Sequence, residues 1–163
     1  MPEDDSELAR RALAIAHALG TATAGEKAEA RRMDDHGAPV FWRQVARLEI
    51  GKGQEAEWLR YTRLVALMTP ASAVGSVHQT GRYLGTVLAE AKWSEHRLAR
   101  MLAARGPARD DSLERAIRML ARARPRLDVI SLARFALGQD GNALARSYYQ
   151  QLDHSQSEAT ENV

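Results

Sequence analysis

Arg115, Arg118 and Arg122 stand three and four residues apart, the spacing that brings side chains onto one face of an α-helix. Read at 100° per residue over 112–124, the row meets no acidic side chain. A guanidinium is planar, permanently charged and able to hold a phosphate through two hydrogen bonds. Three in a row span roughly 10 Å at about 1.5 Å of rise per residue. That is close to about three nucleotides along one strand of B-form DNA. The chemistry on offer is recognition of a polyanion backbone. The competing reading is a solvated face in a chain that uses arginine freely.

Such a row works only if something holds it still. Leu113, Ala116, Ile117 and Leu120 fall on the opposite side of the same stretch. This amphipathic pattern docks the helix onto a core and leaves the arginines in solvent. Helical spacing recurs along the chain, with no convincing run of β-branched alternation. The expected fold is all-α: an elongated protein of about eight helices in two small packed bundles. Leu8, Ala12, Ile15 and Leu19 mark a first helix over 6–19, with Asp5 or Ser6 as its cap. Residues 20–25 read as a break, followed by a short charged helix over 26–33. A turn at 34–39 precedes a helix over 41–50 that turns Phe41, Val45 and Leu48 inward and Arg43 and Arg47 outward. Gly51-Lys52-Gly53 stops it, and 54–68 is the expected most buried helix.

Pro70, Gly75 and Gly81 make 69–81 the expected linker between an N-terminal half (1–80) and a C-terminal half (81–152). Tyr83, Leu84, Val87, Leu88 and Ala91 form the apolar stripe of a helix over 82–92. Ser94 caps the next helix, in which Leu98, Met101 and Leu102 face inward, Arg100 faces out and Arg97 lies at the margin. Gly106-Pro107 is expected to end it. After the arginine-striped helix, Pro125 breaks the chain, Asp128 caps a helix over 129–137 and Gly138 stops it. A last helix covers 142–152, and 153–163 reads as a disordered polar tail.

The chain of 163 residues is long enough to bury a substantial core. It has no cysteine, which excludes disulfides and thiolate metal sites. No apolar run approaches about 18 residues, and the acidic start Met1-Pro-Glu-Asp-Asp is unlike a signal peptide. The expected location is the cytoplasm, with no membrane partner. The net charge of +2 is unevenly spread. Residues 37–126 hold 16 Lys and Arg against 8 Asp and Glu, while the flanks hold 7 against 13. A basic middle between acidic ends suggests a polyanion partner for the middle. Arginine outnumbers lysine 20 to 3. A GC-rich genome also produces that excess, but genome composition does not sort arginines onto helix faces.

Catalytic chemistry is not signalled. His17, His36, His78, His96 and His154 lack HExxH or any other ligand spacing, so no metal site is expected. Asp34-Asp35-His36 reads as turn chemistry, and Gly51-Lys52-Gly53 lacks the P-loop framework. Gly81 and Gly85 suggest close helix packing. Among the tryptophans, Trp58 reads as core and Trp42 as packing, while Trp93 beside Lys92 is left open to base stacking.

Three stretches occur in a telling order. Gly25-Glu-Lys-Ala-Glu-Ala-Arg-Arg-Met33 is followed by Pro39-Val-Phe-Trp-Arg43. Leu84-Gly85-Thr-Val-Leu-Ala89 leads into Ser94-Glu95-His-Arg97-Leu98. Residues 113–120 lead through Pro125 to Leu127-Asp128 and Leu132-Ala133. Over about 25–137 this order resembles the small (CasB) subunit family of Cascade, the type I-E CRISPR surveillance complex. Val129 and Gly138-Gln139 stand where the family usually has Trp, and Leu98 where Phe is usual. Those departures bear on core packing in the C-terminal half and leave the charge pattern intact.

The resemblance implies an all-α protein that is not an enzyme and carries no cofactor. It implies guide RNA, target DNA, other Cascade subunits and a second copy of the chain as partners, with the R-loop held through its backbones. In another RNA-guided effector, base pairing reads the sequence and the protein holds backbone and shape. Arg31, Arg32, Arg43, Arg97 and Arg100 join Arg115, Arg118 and Arg122 as the expected nucleic-acid-binding set. Arg31 and Arg32 diverge by about 100° on a helix, so one is expected to matter more than the other. The exposed faces are too charged for a large dry interface, so the isolated chain is expected to be a monomer or weak dimer. The alternative is a helical adaptor whose arginine faces bind acidic protein surfaces.

Overall fold

Gly20, which the sequence places in a break, lies inside the first helix. The computed structural model describes residues 4–139 and 141–162, and α1 runs Asp5–Thr21. A Cβ at Gly20 would stand 2.3 Å from the backbone carbonyl of Gly75. The glycine is there to let another stretch of chain come close, not to end a helix. The break falls at Ala22 and Thr23. The Thr23 hydroxyl accepts from the Glu26 N–H at 3.1 Å, and the Glu26 carboxylate accepts from the Thr23 N–H at 3.2 Å. This reciprocal capping box starts α2 (Ala24–Arg32).

The turn after α2 is closed by Asp34, whose carboxylate accepts from the His36 N–H and whose carbonyl accepts from Gly37. Pro39 occupies the first turn of α3 (Pro39–Arg47), where its missing N–H is no loss. A short 3-10 turn at Lys52–Gln54 leads into α4 (Glu55–Met68). Trp58, Leu59, Tyr61, Thr62, Leu64, Val65, Ala66 and Met68 are all buried, so α4 is covered over much of its circumference and leaves Arg60 and Arg63 on the remaining face. It packs against α1, α2, α3 and, further along the chain, α7 and α8.

Five more helices follow: α5 (Leu84–Glu90), α6 (Glu95–Ala103), α7 (Gly106–Ala123), α8 (Val129–Ala136) and α9 (Gly141–Glu161). Ser94 caps α6 by accepting from the Arg97 N–H at 3.2 Å, and Asp128 caps α8 by accepting from Ile130 at 3.0 Å. Gly106-Pro107 starts α7 instead of merely ending α6, again with proline in the first turn. The arginine-bearing helix is therefore longer than the sequence suggests. It stops at Arg124, which takes the left-handed conformation (φ 50°).

The irregular segment 69–83 is tied down rather than loose. Gln79 N–H donates to the Leu127 carbonyl at 2.8 Å, Leu127 N–H to Val77 at 3.3 Å and Asp128 N–H to Arg82 at 2.6 Å. Lys27, 2 % exposed, holds the same segment from the other side through the carbonyls of Ala71 and Ala73. Helices from both sides of this segment feed one hydrophobic core, in which α1 packs on α8 and α4 on α7. Val129 and Leu98, the smaller side chains at positions of family aromatics, are both fully inside it.

Gly85 carries the close approach expected of the glycine pair. A Cβ there would lie 2.3 Å from the Leu144 carbonyl on α9. Gly81 does something else: with φ +84° it turns the chain so that its N–H reaches the Asp128 carboxylate at 3.1 Å. Residues 153–161, read from the sequence as a structureless tail, continue α9 to Glu161. His154 Nε2 lies 3.2 Å from the Glu158 carboxylate, one turn along that exposed stretch. Among the described residues no helix is long and apolar enough to cross a membrane.

Candidate nucleic-acid interface

Helix α7 has the two faces its sequence predicts. Leu113, Ala116, Ile117 and Leu120 are buried against the core, while Arg115, Arg118 and Arg122 are exposed. The row is nevertheless not free of acid. Glu114 lies one turn before Arg118 and accepts from its Nε at 2.9 Å and its Nη2 at 2.8 Å. The same carboxylate accepts from Arg63 Nη2 on α4 at 2.9 Å. One acid is thus shared by two arginines, leaving a net positive charge at the centre of the row. Arg115 Nε donates to the Asp111 carbonyl at 3.3 Å, a bond that leaves its charge uncompensated. Arg122 has no hydrogen-bond, ion-pair or aromatic partner among the described residues.

Helix α6 packs against α7 and carries two further exposed arginines. The Arg97 guanidinium stands over the Trp93 ring at 5.0 Å. Trp93 itself is only 5 % exposed, and its carbonyl accepts from the Tyr148 hydroxyl. The tryptophan left open to stacking is core. Trp42, read as packing, is 41 % exposed, edge-on to Phe41, with its Nε1 donating to the His36 carbonyl at 2.8 Å. Arg100 is exposed and without a partner among the described residues. At the start of α7, Arg109 lies 4.0 Å from the Phe135 ring and donates to the Phe135 carbonyl at 2.7 Å. Burial, helped by neighbouring Arg105, pushes the Arg109 guanidinium below its usual range.

The tandem arginines of α2 divide their work. Arg31 turns inward, its Nε donating to the Ala66 carbonyl at 3.2 Å and its Nη2 to Thr69 at 3.0 Å. It closes the C-terminal end of α4, whose last carbonyls have no partner within the helix. Arg32 points to solvent with no partner among the described residues. Arg43 on α3 forms an exposed ion pair with Glu26. The Glu26 carboxyl is held below its ordinary range, chiefly by the Thr23 N–H and hydroxyl and further by Arg43.

The eight arginines therefore fall into two groups. Arg31, Arg32 and Arg43 stand on α2 and α3, which pack together; Arg97, Arg100, Arg115, Arg118 and Arg122 stand on α6 and α7. Helix α4 lies between, in contact with both α2 and α7. Among the described residues no three His, Asp or Glu side chains come together as a metal site. Periodicity did not single out Tyr83 as exposed. It reads as part of an apolar stripe but occupies the position just before α5 and is 48 % exposed.

Comparison with curated proteins and with solved structures gave no match. A family model does match, that of the CRISPR-associated protein Cse2, over residues 26–149. The matched span runs from the capping glutamate of α2 into α9 and takes in all eight arginines. By this match over most of its length, the chain belongs to the Cse2 family, the small subunits of CRISPR Cascade complexes.

Proposed function

We propose that the chain is the non-catalytic small subunit of a type I-E Cascade. In this reading its exposed arginines hold the backbones of guide RNA, target DNA and displaced strand, and so stabilise the R-loop in antiviral defence. A second copy of the chain and the other Cascade subunits are its protein partners. What carries the reading is the α7 row: three exposed arginines opposite a fully buried face, inside the matched span. The buried face holds the helix in place beforehand, so meeting phosphates costs only the ordering of the arginine side chains. Such a row gives affinity without sequence, which is the division of labour expected where pairing reads the sequence.

The test uses assembled Cascade carrying either the wild-type subunit or Arg115→Ala/Arg118→Ala/Arg122→Ala. R-loop formation is followed by footprinting the unpaired displaced strand over a salt series. The expected result is an R-loop lost at lower salt in the variant, with complex assembly intact. Equal R-loop stability in the two complexes overturns the reading. Binding to acidic proteins with no nucleic-acid affinity identifies the adaptor instead.

A further inference from the structure

Away from the arginine row, a cavity of about 220 Å³ opens between the start of α5 and helices α8 and α9. The buried Leu84 and Leu144 line it together with Gly85, Ala143 and the hydroxyl-bearing Ser131 and Ser147. At its rim Tyr83 stands half-exposed, with no stacking partner for its ring and no hydrogen bond to its hydroxyl among the described residues. Arg146 and Gln150, one helical turn apart on α9, share the rim and are exposed and unpartnered in the same sense. Arg134 also lines the cavity, but its charge is matched by Asp5, with bonds of 3.0 and 2.9 Å. Among the described residues no carboxylate lines the space.

These groups have a joint meaning. A partly apolar slot beside an unstacked aromatic ring accepts a flat ring. One uncompensated guanidinium matches one phosphate, and a primary amide can both donate to and accept from the edge of a base. An acidic peptide would call for several cations, and an extended one for an open strand edge, and the cavity offers neither. We propose that this cavity takes a single splayed-out nucleotide of a single strand, the base against Tyr83, its edge on Gln150 and its phosphate on Arg146. The proposal rests on the nucleic-acid reading above but concerns a different place and a different contact. The α7 row holds backbone; this cavity holds a base, and is indifferent to which one because every base has a face to stack.

The experiment uses the full chain and two fluorescent oligomers of equal length and charge, oligothymidine and its abasic counterpart. Wild type should bind oligothymidine roughly tenfold more tightly than the abasic strand, the order expected for one stacked base. Tyr83→Ala should erase that preference while leaving abasic binding unchanged, and Tyr83→Phe should keep it. Because Tyr83 is exposed, the variants should melt with wild type, which circular dichroism checks. Arg146→Ala should weaken both strands and reduce the salt slope by about 0.7. A wild type that binds both strands equally, or a folded Tyr83→Ala that keeps the preference, overturns the cavity and leaves the backbone reading standing. Binding of neither strand overturns the backbone reading as well. Displacement by an acidic peptide and not by oligothymidine assigns the cavity to a protein partner and overturns the proposal.

Discussion

Arg31 Nη2 donates to the carbonyl of Thr69 at 3.0 Å, so the first arginine of the tandem pair is the terminal cap of a helix 38 positions away. Its neighbour Arg32 is solvent-facing. A hydrogen bond from a charged donor contributes roughly 1.5–3 kcal/mol, and its loss here also leaves the Thr69 carbonyl without its partner, while the Ala66 carbonyl keeps the Thr69 N–H. Arg31→Ala should therefore lower stability by about 2 kcal/mol. Arg32→Ala should stay within about 0.5 kcal/mol of wild type. Urea melts of the two variants give the comparison, and any weakening of nucleic-acid binding at constant stability should come from Arg32.

The α7 arginines should be unequal too. Arg122 has no carboxylate to satisfy, whereas Arg118 shares Glu114 with Arg63. Arg122→Ala should reduce the slope of log K against log salt for a single strand by about 0.7. Arg118→Ala should reduce it less, because removing it leaves Glu114 to Arg63 alone. Glu114→Gln should strengthen binding. Titrations of a single-stranded oligomer at several salt concentrations rank the three, and equal slopes for both arginine variants would contradict the charge-sharing account.

Glu26 gives the pH dependence. Its carboxyl titrates below its ordinary value of 4.5 in the folded chain, held there by Thr23 and then Arg43. A depressed carboxylate adds stability above its unfolded value and loses it as pH falls through the folded one. Glu26→Gln should accordingly melt below wild type at neutral pH, and the gap should close in acid below the carboxylate range. Thr23→Ala, which removes the hydroxyl half of the box, should destabilise by about 1 kcal/mol. Thermal melts at neutral and acid pH test both.

Gly85→Ala should be among the most damaging small changes in the chain. The added carbon would fall 2.2 Å from Ser147 Oγ and 2.3 Å from the Leu144 carbonyl. The serine can rotate away, but the carbonyl belongs to helix backbone, so α5 and α9 must separate. Overpacking of this kind costs about 1–3 kcal/mol or more. Gly53→Ala, with nothing within 4 Å of the new carbon, is the control and should leave the denaturation midpoint nearly unchanged.

What the sequence made legible was local. Helical periodicity placed Leu113, Ala116, Ile117 and Leu120 inward, and the caps at Ser94 and Asp128 stand where their residue types announced them. What it hid depends on partners far along the chain. Nothing near Arg31 says that Ala66 and Thr69 await it. Arg63, on another helix, sets how Glu114 is shared, although its reach to Arg118 was open to reading at one-turn spacing. Gly20 and Gly85 look like breaks or generic packing because the same residue serves turns and close approaches. Trp93, left open in the sequence, is buried, and Trp42 packs edge-on against Phe41 yet stays 41 % exposed; each stands near a helix end, where periodicity no longer says which way a ring turns. The site was thus half legible: the arginines and their faces could be read, but not which of them the fold had already engaged.

The pairing of Asp5 with Arg134 joins residues 129 positions apart, and beneath it α1 packs on α8. Helix α1 leaves the ribosome well before α8, so its face toward α8 waits for a late partner. Until residues 129–136 emerge, α3 and α4 shield the Leu8–Ile15–Leu19 stripe only in part. Long-range closures of this kind slow folding and leave apolar surface open in the meantime. A nascent chain stalled short of α8 is therefore a sticky intermediate and a natural client for a chaperone. C-terminal truncations that remove α8 should yield aggregates, not a smaller folded protein.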